Sequence, residues 1–141
     1  MNSIRGVRLN SDENFSLLCG NTVQAVYLCE KQLKIGTMKK CRITVVRMAC
    51  YRDLMERYEN PLEHACDMHE GQVFVANGWE KPEGMCESAW QTMSPFVMAL
   101  SHGAENFYDG WMKNPRSAMI SCNDGFRPVS FLIEALDEDA D

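Results

Sequence analysis

From Cys41 to Met48, CRITVVRM, Ile43, Val45 and Arg47 alternate with Thr44, Val46 and Met48 in a run rich in β-branched residues. That pattern predicts a strand, and apolar groups on both of its faces predict a central one. Tyr51 to Tyr58 then places Tyr51, Leu54, Met55 and Tyr58 at spacings of three and four, the signature of a short amphipathic helix. Asn60-Pro61 closes it, because the residue before proline avoids helical angles. Gln72 to Ala76, QVFVA, is a second strand. A longer helix runs from Glu87 to Ser101, with Ala89, Trp90, Met93, Phe96, Val97 and Leu100 on one broad face. Pro95 is expected to kink or restart it, and Gly103 to stop it. Ser117 to Cys122 and Phe126 to Leu136 are two further strands. Asn123-Asp124-Gly125 between them is a hairpin signal, since the turn residues tolerate positive φ. Pro128 needs an edge or unpaired position. The sum is an α+β domain: a small, mainly antiparallel sheet of about four strands with two helices packed on one face.

Outside these elements the pattern changes. Met1 to Thr37 is polar at first and then holds a modest apolar run that would make a helix from Thr22 to Lys34. Met38-Lys39-Lys40 directly before a strand has the look of a translation start. Residues 1–37 are therefore either an upstream extension with a misassigned start or an N-terminal helix docked on the core. Residues 38–136 form the single domain, and Asp137 to Asp141, DEDAD, reads as a solvated acidic tail. Glu105 to Arg116 is an aromatic-rich loop whose Phe107, Tyr108 and Trp111 either cover the core or line a pocket.

Composition narrows the function classes. A chain of 141 residues with 45% hydrophobic and 24% charged residues folds, and at this length it folds as one domain. A net charge of −6 with scattered basic residues speaks against a nucleic-acid partner. No stretch approaches the roughly twenty apolar residues of a membrane span, and Met1 to Cys19 has no signal-peptide core. Seven cysteines, an odd number, then suggest free thiols in a reducing cytoplasm. The ten methionines fit adaptable core filler.

The candidate chemistry gathers at two turns. In KPEGMCESAW, Lys81 to Trp90, a Pro-Gly turn delivers Cys86 to a helix start, where unpaired N–H groups and the helix dipole favour a thiolate. In SCNDGFRPV, Ser121 to Val129, Cys122 ends a strand before a tight turn. A third cysteine, Cys66, sits between His64 and His69 in the polar loop EHACDMHEG, whose spacing suits chelation without matching a zinc signature.

Cys66 followed by the GQVFVA strand, the PEGMCESAW block and the SCNDGFRPVSF block together resemble a family of small, roughly ninety-residue bacterial proteins that is functionally uncharacterised. The resemblance covers Lys39 to Leu136 and leaves 1–37 unmatched. It matches Cys66, Pro82, Glu83, Gly84, Cys86, Trp90, Cys122, Asp124, Gly125, Arg127 and Pro128. Pro95 and the stretch from His102 to Asp109 depart from it. It implies a bacterial domain but no activity.

Three readings stay open. In the first, Cys66, Cys86 and Cys122 converge, with His102, His64, His69 or Asp124 as a fourth group, on zinc, copper(I) or an iron–sulfur cluster. In the second, Cys86 is an activated nucleophile or redox thiol, with His102 or Glu83 as proton acceptor and Arg127 holding an anionic small-molecule substrate. In the third, the cysteines are small buried hydrophobes of a binding or assembly module that acts through a partner or as a homo-oligomer.

Overall fold

The computed structural model describes residues 36–141, which make up a unit of their own. The expected helix from Thr22 to Lys34, and Cys19 and Cys29, lie outside the described residues. Six elements follow in order: β1 (Lys39–Met48), α1 (Arg52–Tyr58), β2 (Val73–Ala76), α2 (Glu87–Ser101), β3 (Ser117–Ser121) and β4 (Val129–Asp139). The strands form one antiparallel sheet in the order β2-β1-β4-β3. β1 lies inside the sheet as expected, although only its Cys41, Ile43 and Val45 face is buried and its other face carries Arg42 and Thr44. An α+β fold with a four-stranded antiparallel sheet and two helices is thus what the hydrophobic pattern announces.

One face of the sheet carries the core. Cys41, Ile43 and Val45 of β1, Phe74 and Ala76 of β2, Ala118 of β3, and Val129, Phe131 and Ile133 of β4 all point into it. Ala89, Met93, Val97 and Leu100 of α2 close it from above. These four recur at spacings of three and four, so a single stripe of α2 faces the sheet. Buried apolar area of this kind is the main source of stability in a domain this size. α1, by contrast, buries none of its residues.

Three local expectations are refined. α2 continues through Pro95. Pro95 and Gln91, whose carbonyl loses its partner there, are both exposed, so water can replace the missing ladder bond. The β3–β4 connection is longer than a two-residue turn. Asp124 and Gly125 keep negative φ, and the Asp124 carboxylate accepts the N–H groups of Phe126 (2.8 Å) and Arg127 (3.0 Å). Pro128 has no N–H to extend the ladder toward the turn, so the side chain organises the loop instead. It ends just before β4, where the Pro128 carbonyl accepts the Ala49 N–H at 3.0 Å.

The acidic end is not a free tail, because β4 runs to Asp139. Lys39 pairs with Asp139 at 2.6 Å, Lys40 with Asp141 at 3.1 Å and Arg116 with Asp137 at 2.7 Å. Opposite charges on neighbouring strands hold the acidic run in the sheet. The carboxyls of Asp137 and Asp139 are held below their ordinary range, chiefly by hydrogen bonds from Arg116 and Lys39 respectively.

Candidate functional site

The turn Pro82–Met85 delivers the chain into α2. Gly84 takes a positive φ of 74° there, a conformation that suits glycine, and the Met85 N–H closes the turn on the Pro82 carbonyl at 3.2 Å. Met85 is buried and anchors the turn to the core. The next residue, Cys86, is the N-cap of α2 and stays exposed. Its thiol makes no capping bond, so the first N–H groups of a 15-residue helix open beside it.

The loop 63–71 passes in front of this turn. A pocket of about 260 Å³ lies between them, lined by Ala65, Cys66, Asp67, Met68, Gly84 and Cys86. Cys66 is half-buried, and its sulfur accepts the Met68 N–H at 3.4 Å. Met68, which also lines the pocket, is buried. Asp67 is paired with His64 at 2.5 Å, both on the exposed rim. Two of the three predicted cysteines thus share one pocket.

Cys122 flanks the same end of α2 without lining that pocket. Its loop is tied there by Asn123, which donates to the Ser88 carbonyl at 3.3 Å, and by Thr92, which donates to the Ser121 carbonyl at 2.9 Å. The Cys122 sulfur accepts the Val129 N–H at 3.3 Å and packs against the core. Among the described residues, no three His, Cys, Asp or Glu side chains are grouped to hold a metal ion. The convergence expected of Cys66, Cys86 and Cys122 therefore reduces to a pair, because the β3–β4 loop turns its cysteine toward β4. His69 and His64 are exposed, and Asp124 is committed to its own loop.

The partners expected for Cys86 stand elsewhere. His102 caps the opposite end of α2, about 24 Å away at 1.5 Å per residue. Its Nδ1 faces the Met98 carbonyl at 2.8 Å, so it cannot serve Cys86 as a base. Arg127 is also occupied. Its Nη1 and Nη2 grip both carboxylate oxygens of Glu59 at 2.8 and 2.5 Å, a forked pair that joins the end of α1 to the β3–β4 loop. That leaves no free fork for an anionic substrate. Glu83 stays exposed in the turn ahead of Cys86.

Cys41 shows the other fate of a thiol. It is fully buried, donates toward the Val97 carbonyl at 3.7 Å, and burial pushes its pKa up to about 11 against the pull of Arg116. It behaves as a small hydrophobe of the core. The aromatic loop divides similarly. Phe107 packs edge-on against Phe96, with centroids 5.4 Å apart, whereas Tyr108 and Trp111 remain exposed.

Among the described residues, no element covers the opposite face of the sheet. Val73 and Val75 of β2 are 52% and 49% exposed, and Met119 of β3 is 36% exposed. Arg42 and Glu134 face each other across β1 and β4 in a 2.8 Å ion pair. Among the described residues, no helix is long and apolar enough to cross a membrane. The chain matches no protein-family model, no curated protein and no solved structure.

Proposed function

We propose that the chain is a binding and assembly module that pairs with a second copy of itself through the uncovered face of its sheet. The observation that supports this is the order of side chains across the four strands. Val73, Thr44, Leu132 and Met119 stand in one row across β2, β1, β4 and β3, and Val75, Arg42 and Glu134 begin the next. A two-fold axis lying between β1 and β4, along the strands, lays one copy on the other with every contact made twice. Val73 of one copy then meets Met119 of the other, Thr44 meets Leu132, and Arg42 meets Glu134. Val73 and Met119 make an apolar contact, the Thr44 methyl meets Leu132, and opposite charges face each other in a face-to-face packing of two sheets.

The working compartment is a reducing cytoplasm, a reading supported by the five free cysteines among the described residues. A bacterial setting rests on the resemblance of the three sequence blocks. The acidic balance argues against nucleic acid as the partner.

Sedimentation of the full chain over a dilution series tests the proposal. A dimer that dissociates on dilution is expected. Val75→Glu should leave the unfolding midpoint nearly unchanged, because Val75 is exposed in the single copy, and should yield a monomer. A wild-type chain that stays monomeric at every concentration overturns the proposal. A cysteine-based redox or nucleophilic site is the second reading, favoured by the shared pocket of Cys66 and Cys86. It calls for fast alkylation of Cys86 that persists below neutral pH, and ordinary slow labelling would count against it.

A further inference from the structure

We infer that Cys66, Met68 and Cys86 form a binding site for one soft monovalent metal ion, of the copper(I) class. The inference is independent of the sheet face. Three sulfur-bearing residues line one pocket of about 260 Å³, two from the loop 63–71 and one from the start of α2. Thiolate and thioether donors select soft ions, and such an ion is satisfied by two or three sulfurs. Zinc asks for four donors in a tetrahedron. No three His, Cys, Asp or Glu side chains group together among the described residues, so the pocket suits the smaller coordination number.

The surroundings fit a pair of thiolates on one cation. The ion carries one positive charge, so a bound pair leaves one net negative charge in the pocket. The Met68 N–H already points at the Cys66 sulfur, and the open first turn of α2 beside Cys86 adds unpaired N–H groups. Asp67 at the rim is turned to His64 and does not compete for the ion. On binding, each thiol releases its proton to solvent as its sulfur–metal bond forms, so affinity rises with pH. No electron is transferred.

Anaerobic titration of the full chain with copper(I), against a chromophoric chelator that sets the free-ion level, tests this. One ion should bind far more tightly than any other, with an ultraviolet thiolate-to-copper band. Losing a thiolate should cost more than the 10- to 100-fold typical of an outer-shell change. Cys86→Ser and Cys66→Ser should therefore each weaken the tightest site by about 100-fold or more, and Met68→Leu by about tenfold. Cys50→Ser and Cys122→Ser should leave it unchanged. Cys86 is exposed, so its variant should keep the wild-type unfolding midpoint even if that at Cys66 does not. A tightest site unchanged in Cys86→Ser, or lost in Cys50→Ser or Cys122→Ser, overturns the inference, as does equal or tighter retention of zinc.

Discussion

On the face of the sheet that α2 covers, Ile43, Val45, Phe131 and Ile133 have no accessible surface. One residue along the same strands, the side chains point the other way, and Arg42, Val73, Val75 and Met119 stand in solvent. Strand periodicity of two writes both faces into the same residues. The covered face is almost wholly apolar and supplies stability. The open face mixes Val73, Val75, Leu132 and Met119 with Thr44, Arg42 and Glu134, and it is the face the proposed dimer would use. The cysteines sort along a similar line, with Cys41 buried as packing material and Cys66 and Cys86 left at a pocket.

The largest expected contrast between the faces is in stability. Phe131→Ala should lower the free energy of unfolding by about 3–5 kcal/mol, as removing a buried aromatic side chain does. Val75→Ala, on the open face, should change it by no more than about 0.5 kcal/mol in dilute solution. Denaturant unfolding of both variants measures the difference, and comparable losses would mean that the open face is covered.

The next effect is alkaline. The folded pKa of Cys41 lies above its unfolded value, so the folded state holds its proton longer. Its stabilising contribution is whole below the unfolded pKa and is lost as pH rises from about 9 toward about 11. The loss should reach roughly 2–3 kcal/mol. Unfolding midpoints taken across that range should fall in the wild type and stay flatter in Cys41→Ala.

A smaller effect is expected at Arg127. Glu59→Gln removes the carboxylate that grips both of its guanidinium nitrogens. The unfolding midpoint should drop less than for Phe131→Ala, with faster amide exchange confined to α1 and residues 122–128. Uniformly faster exchange would contradict the local role of this pair.

The smallest effect is acidic. Asp137 and Asp139 have lowered folded pKa values, so their contribution is present above the ordinary carboxylate pKa of about 3.9 and fades as pH falls below it. Both are exposed, so added salt should erase most of this acid slope. A slope that persists in high salt would point to other groups.

Much of the fold was legible because its signals are local. Alternation in CRITVVRM marks a central strand, and the stripe through Ala89, Met93, Val97 and Leu100 marks the helix that covers it. The acidic end is solvated as expected, but its place in β4 was not legible because it depends on Lys39, Lys40 and Arg116, which are distant in sequence. The hairpin signal gave the right pairing but the wrong turn, since Pro128 and the Asp124 side chain decide the loop.

At the site, Cys66 and Cys86 stand out as cysteines at element ends, and the structure places them on one pocket. Met68 and Glu59 were not seen. A methionine reads as filler until its neighbours are known, although Cys66-x-Met68 put two sulfurs within one loop. His102 and Arg127 were attractive as types, but the length of α2 separates the first from Cys86. A glutamate 68 positions away occupies the second.

The central claim is that two copies meet through Arg42 and Glu134. Arg42→Glu and Glu134→Arg each place like charges across that contact in a homodimer. Each variant loses the pair within its own copy, but mixed one to one the two restore opposite charges at both contacts between copies. Sedimentation of each variant alone and of the mixture is the direct test. The account predicts monomers alone and a heterodimer on mixing. If the mixture stays monomeric while the wild type dimerises, the contact lies elsewhere.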